Sequence, residues 1–127
     1  MRSPFSTWLL SGLLAAAAPA LAATPPTTVL SPAAAAGQFV QVCRARLDLT
    51  AEQRTSLTAY LDQEINYLAV QAANHPAAEV AAELPAERTQ FQLVASHLLS
   101  PEQLRQFREL EATSKVRAYL RQMSLGE

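Results

Sequence analysis

From Phe39 to Met123, apolar residues recur at three- and four-residue intervals, the period of an amphipathic helix, and strand-like alternation never runs beyond a few positions. Phe39, Val42, Cys43 and Leu47 form one stripe, and Ser31–Pro32 offers a cap and a first turn for a helix leading into it. Gly37 stands in the way, since glycine costs about 1 kcal/mol relative to alanine inside a helix, so order is expected from about Gln38. A second helix is predicted over Ala51–Asn74, with Leu57, Leu61, Ile65, Leu68 and Ala72 at helical spacing. It would be about 36 Å long at the usual helical rise, and "NHP" at 74–76 ends it, because Pro76 lacks a donor and pushes its predecessor out of helical geometry. "AAEVAAE" at 77–83 predicts a short Ala-rich turn or helix that Pro85 interrupts. A third helix then runs from Pro85 with Phe91, Val94, Ala95 and Leu98 on one face. The last helix is predicted from Pro101 to about Met123, and its two apolar sets (Leu104, Phe107, Leu110 and Val116, Leu120, Met123) do not fall on one straight stripe. The expectation is an all-α protein: a small bundle or bent hairpin of about four helices, two of them long.

One phrase occurs twice in this pattern. "LTAEQ" (Leu49–Gln53) opens the second helix and "LSPEQ" (Leu99–Gln103) opens the last. Thr50 and Ser100 are N-cap residues whose hydroxyls accept from a backbone donor of the first turn. Gln53 and Gln103 stand three residues on, where the side chain of a capping box reaches back to the cap's own amide. Glu52 and Glu102 place negative charge at the positive end of the helix dipole, and Pro101 takes the first helical position, where its missing donor costs nothing. Leu49 and Leu99 precede the caps as staple residues, Leu99 with Leu104 as its partner and Leu49 with only the aliphatic stem of Arg54. Such a cap contributes about 1 kcal/mol, so helix initiation alone accounts for each copy.

The first residues decide the compartment. Arg2, the weakly polar to apolar run Trp8–Ala18, Pro19 and the small-x-small "ALA" of Ala20–Ala22 have the layout of a secretory signal cleaved near Ala22. The run is shorter than the ~18–20 apolar residues of a spanning helix, and retention as an uncleaved anchor is the competing reading. The expected organisation is a signal peptide at 1–22, a flexible Pro/Thr/Ala-rich spacer at 23–37 and a helical domain at 38–127. Cleavage leaves 105 of the 127 residues, with 9 basic and 11 acidic side chains. That balance gives no footprint for nucleic acid, which favours a strongly basic face. Cys43 is the only cysteine and has no internal disulfide partner; it reads as a small buried hydrophobe, with an intermolecular bridge as the alternative.

Catalytic chemistry finds little material here. His75 and His97, the two histidines, sit in no hydrolase turn motif, and Asp62 and Glu64 are two apart and so on different helix faces. Glu79 and Glu83 share a face as solvated charge, and the glycines are too few for a phosphate loop. Cys43, His75 and His97 lack close ligand spacing, so no metal site, no cofactor and no enzymatic activity are expected. The last helix is locally basic. Arg105, Arg108, Arg117 and Arg121, interleaved with Phe107 and Tyr119, are candidate partner-binding residues, because long Arg stems beside aromatics cover apolar surface without strict geometry.

An exported helical chain of this size with two Leu-Thr/Ser-x-x-Gln phrases resembles the Spy/CpxP group of periplasmic LTxxQ-motif proteins. "LTAEQ" matches the motif fully, and "LSPEQ" has Ser in place of Thr. The resemblance covers most of residues 38–123 and implies a homodimer of long, bent helical hairpins forming a shallow cradle. Leu49, Thr50, Gln53, Leu99, Ser100 and Gln103 are the motif residues. The implied activity is that of an ATP-independent periplasmic stress chaperone that binds unfolded or partner proteins. The alternatives are a regulatory or metal-responsive accessory of an envelope sensor and a structural interaction module. The chain departs from the group in its slightly acidic balance and its lack of Met- and His-rich segments.

Overall fold

Four of the five described helices begin at a Ser or Thr whose hydroxyl accepts from a first-turn amide, and the remaining one begins after a proline with no side-chain cap. The computed structural model describes residues 29–126. The expected signal segment at 1–22 and the spacer residues 23–28 lie outside the described residues. Five helices and no strand occur among the described residues: α1 (Pro32–Leu47), α2 (Ala51–Asn74), α3 (Ala77–Leu98), α4 (Pro101–Glu111) and α5 (Ser114–Gln122). α2 has the bounds its periodicity predicts. The other helices depart from expectation in three places, each with a local cause.

α1 starts at Pro32, ahead of the boundary expected at residue 38, so residues 32–37 are helix and not spacer. Ser31 Oγ accepts from the Ala34 amide at 3.1 Å, and Ala35 and Ala36 are buried, which outweighs the cost of Gly37. α3 runs unbroken through Pro85, where two elements were expected. An interior proline costs roughly 3 kcal/mol. The turn ahead of it carries half-buried Val80 and Leu84 and is tied to α2 by Glu83, which accepts from Gln71 Nε2 at 3.3 Å. The predicted last helix is two helices, parted at Ala112–Thr113. Thr113 Oγ1 donates to the Leu110 carbonyl at 2.7 Å and accepts from the Val116 amide at 3.4 Å, ending α4 and capping α5. The two apolar stripes that refused to align belong to these two helices.

α2 and α3 form an antiparallel hairpin, turned at His75–Pro76, in which Gln53 meets Leu98, Tyr60 meets Phe91 and Gln71 meets Glu83. α1 packs along α2 and also against α4 and α5. At the centre, Phe39, Phe91 and Phe107 from α1, α3 and α4 meet with ring centroids 6.0–6.2 Å apart, and Tyr60 of α2 stacks on Phe91. Met123 and Leu125 close this core from the C-terminal side. Cys43 is wholly inside it; burial, followed by the Glu111 carboxylate, pushes its thiol up to about 12. With no exposed sulfur, an intermolecular bridge would require the core to open.

The core stops partway along the hairpin. α2 buries Leu57, Leu61 and Glu64 and nothing beyond, while α3 buries nothing before Phe91. The last ten or so residues of α2 and the first ten of α3 therefore form a two-helix arm. Tyr67 and Val70 are exposed on the arm, and Leu93 on α3 near its base.

Candidate functional site: the paired helix caps

Both copies of the repeated phrase form complete capping boxes. Thr50 Oγ1 accepts from the Gln53 amide at 3.0 Å, and Gln53 Oε1 accepts from the Thr50 amide at 2.9 Å. The second copy repeats the pair, with the Gln103 amide donating to Ser100 Oγ at 3.2 Å and the Ser100 amide to Gln103 Oε1 at 3.0 Å. Each cap therefore fixes its glutamine in one rotamer at the mouth of its helix. Leu49 and Leu99, ahead of the caps, are buried.

What the caps fix, the fold then joins. Gln53 Nε2 donates to Gln103 Oε1 at 2.7 Å, and Gln103 Nε2 donates to Gln53 Oε1 at 3.0 Å. The remaining proton of each amide goes to a backbone carbonyl: Gln53 to Leu98 at 3.1 Å, Gln103 to Leu47 at 3.2 Å. Leu98 and Leu47 are the last residues of α3 and α1, whose carbonyls have no partner within their own helices. Each glutamine thus caps the start of its own helix and the end of a helix from the other half of the chain. Both donors and both lone-pair directions of each amide are used. Four helix ends meet at this half-buried junction.

The α1–α2 link inside the junction is tight. Asp48 adopts φ 54°, ψ 53°, a left-handed conformation that Asp tolerates better than most residues.

The basic stretch of α4 and α5 is not an aromatic–arginine surface. Phe107 and Tyr119 were expected to face partners, but both are buried, because they sit on the core-facing stripes of their helices. Arg105 is engaged by Glu102 and Glu109 on its own helix, and this pairing lowers the Glu102 carboxyl below its ordinary range. Arg108 lies over the Phe107 ring and pairs with Gln92 and Glu111. Arg117 and Arg121 remain exposed.

Where the arm leaves the core, sequence spacing had placed Asp62 and Glu64 on different faces. The relevant neighbour is on the other helix. Glu64 is 6% exposed and faces Glu87 of α3 within hydrogen-bonding range, while its Oε2 has no partner. Burial, then the hydrogen bond and charge of Glu87, push the Glu64 carboxyl up to about 8, so Glu64 keeps its proton at neutral pH. Tyr60 above it is pushed up to about 12 by burial and the same two acids, and its hydroxyl also lacks a partner. Only a buried acid at position i and an acid about one hairpin register away (64 with 87) could have signalled this in the sequence.

His75 pairs with Glu79 at 3.4 Å at the arm's tip, and His97 Nδ1 lies 2.9 Å from the Leu93 carbonyl; with buried Cys43 they occupy three separate places. No group of three or more metal-ligating side chains comes together among the described residues. No helix among them is long and apolar enough to cross a membrane. The chain matches no family model, no curated protein and no solved structure.

Proposed function

We propose that this chain is an exported, protein-binding helical protein of the LTxxQ type. It acts in the periplasm as a homodimer that holds non-native or partner proteins without ATP. One observation carries the reading: the two LTxxQ-like phrases are a single interlocked junction, from which a two-helix arm extends beyond the monomer's own core. Val70 and Tyr67 are about half exposed on that arm, and Leu93 lies exposed near its base. Half-buried Ile65, Leu68, Val80 and Leu84 line the same two helices. A two-helix arm cannot bury its apolar stripes on both sides, so a second copy and a loosely held client are natural occupants of what remains. Exposed Arg117 and Arg121 add long stems able to lie against apolar segments of varied shape.

The test pairs two measurements on the purified chain. Light scattering should report a dimer, unchanged by reductant because Cys43 is interior. Near-stoichiometric chain should slow the aggregation of several unrelated unfolding proteins. No slowing on any of them, with saturable binding to one envelope sensor domain instead, would assign the chain to the regulatory accessories.

A further inference from the structure

The carboxyl pair at the root of the arm lines a cavity of about 380 Å³, walled by Tyr60, Gln63, Glu64, Tyr67, Glu87 and Gln90. Three features of this cavity point outward from the molecule. Glu64 is more than nine-tenths buried and keeps an oxygen, Oε2, with no hydrogen-bond partner among the described residues. The Tyr60 hydroxyl is a second buried oxygen without a partner. Among the described residues no Lys or Arg forms a salt bridge with Glu64, Glu83 or Glu87, although Arg88 is next in sequence to Glu87. Buried polar atoms are ordinarily satisfied, and two like acids facing each other with a third nearby lack a positive partner.

We propose that this cavity is a binding site for an organic cation, a guanidinium or primary ammonium group on an alkyl stem. Every wall has a part in such a complex. Glu64 and Glu87 supply the two carboxylates, opposed across the helix pair so that a planar guanidinium can bond to both. The Tyr60 and Tyr67 rings, one helical turn to either side of Glu64, offer their electron-rich faces and cover the methylene stem. The Gln63 and Gln90 side-chain oxygens accept any remaining N–H groups. A bare divalent ion is a poorer occupant: it wants six or more close oxygens, and the cavity holds many times the ~30 Å³ share of a water molecule. The cation can arrive as a free amine or as the Arg or Lys side chain of a bound polypeptide; the chemistry recognised is the same. The site stands on its own walls, whether or not the chain holds unfolded clients.

Occupancy has a proton cost that makes it readable. The Glu64 carboxyl carries a proton at neutral pH, and the charged groups around it are Glu87 and Glu83 on α3 and, when ionised at high pH, Tyr60 and Tyr67 on α2. A cation displaces that proton, so binding tightens as pH rises from 6 to 8 and releases protons to buffer.

The experiment is calorimetric titration of the purified chain with acetyl-arginine amide, with acetyl-citrulline amide as the neutral near-isostere, and with tyrosine ring resonances as a second readout. Arginine amide should bind and shift the rings of Tyr60 and Tyr67. Citrulline should bind about tenfold or more weakly, and Glu64→Gln and Glu87→Gln should each weaken arginine amide about tenfold or more. Both variants keep side-chain shape and relieve like-charge repulsion, so an unchanged helical circular dichroism spectrum is expected. Agmatine and a Gly-Arg-Gly peptide separate the sources: preference for the first marks a free-amine site, preference for the second a polypeptide site. Three results would each overturn the proposal: no binding of arginine amide, equal binding of citrulline, or calcium alone producing the same ring shifts.

Discussion

The two polar meeting points of this hairpin are built on opposite terms. At the base, two glutamine amides join four helix ends and leave no hydrogen-bonding capacity unused. At the root of the arm, two glutamates face each other with oxygens left over and no cation between them. The side chains differ by little more than NH2 against O, yet the amide can donate and accept where the carboxylate only accepts. The first arrangement rigidifies a junction; the second leaves a region whose state depends on protons and on what enters it. A helix-capping motif and a ligand-responsive arm thus sit on the same two helices, separated by three turns of α2 and one aromatic core.

The largest effect should come from the core that separates them. Phe107 is 2% exposed and touches both Phe39 and Phe91. Phe107→Ala should cost about 3–5 kcal/mol in chemical denaturation, enough to unfold a marginal domain of this size. If Phe107 were instead a surface contact for partners, the loss would be under about 0.5 kcal/mol.

Next in size is a test of the junction against its simpler reading. A capping box accepts Glu or Gln at its third position equally well, so capping alone predicts that Gln53→Glu is harmless. In the structure it removes the donors to Leu98 and to Gln103 Oε1 and sets a carboxylate against an amide oxygen. A loss of about 2–3 kcal/mol is expected. A Gln53→Ala/Gln103→Ala double-mutant cycle should show coupling of about 0.5–3 kcal/mol across fifty residues of sequence, and a coupling near zero would reduce the junction to two independent caps.

The legible and illegible parts of this molecule divide by range. α2 could be read to its ends because its signals are local: the cap at Thr50, the stripe from Leu57 to Leu68, the stop at Pro76. Pro85 and Gly37 misled for the complementary reason, since the contacts that override them come from other helices. The shift of stripe between Leu110 and Val116 was visible, and it was a break, signalled by Thr113 as a second cap. For the site, the motif residues were all found, but only as caps. Nothing in "LTAEQ" says that Gln53 Nε2 ends α3, because its partner lies 45 residues away. Phe107 and Tyr119 were assigned to a surface because basic neighbours drew attention to the wrong side of their helices. Glu64 reads in the sequence only as half of a non-convergent pair with Asp62, as one acid on a helix carries no sign that an acid on the next helix will face it.

The carboxyl pair gives the third test, and its sign is opposite to that of an ordinary salt-bridged acid. Glu64 in the folded chain releases its proton near 8, against an ordinary value of 4.5. Between those two pH values the folded state binds more protons than the unfolded one, so stability falls as pH rises through the window and is fully kept below about 4.5. Glu64→Gln should flatten the decline and raise stability at pH 8 by about 1–3 kcal/mol. Thermal melts of both proteins at pH 5, 6.5 and 8 measure it. A wild-type melting point that climbs toward pH 8 would mean that Glu64 ionises freely.

The smallest expected effect concerns the arm's outer face, and its smallness is the point. Val70 is 48% exposed and lies beyond Glu64, the last buried residue of α2. Val70→Ser should therefore change the unfolding free energy of the monomer by no more than about 0.5 kcal/mol. If a second copy covers the arm, the same substitution leaves a hydroxyl against an apolar partner and shifts the dimer toward monomer. Sedimentation across a concentration series separates the two quantities, because monomer stability is independent of concentration while association is not. Amide exchange sharpens the result. The capping-box amides of Thr50, Gln53, Ser100 and Gln103 should exchange only when the junction opens, whereas those of Leu68–Asn74 should exchange by local opening at low concentration and gain protection as the dimer forms. Protection at the arm that ignores concentration would mean that its two helices suffice for each other, and the contrast between base and arm would then lie in the carboxyl pair alone.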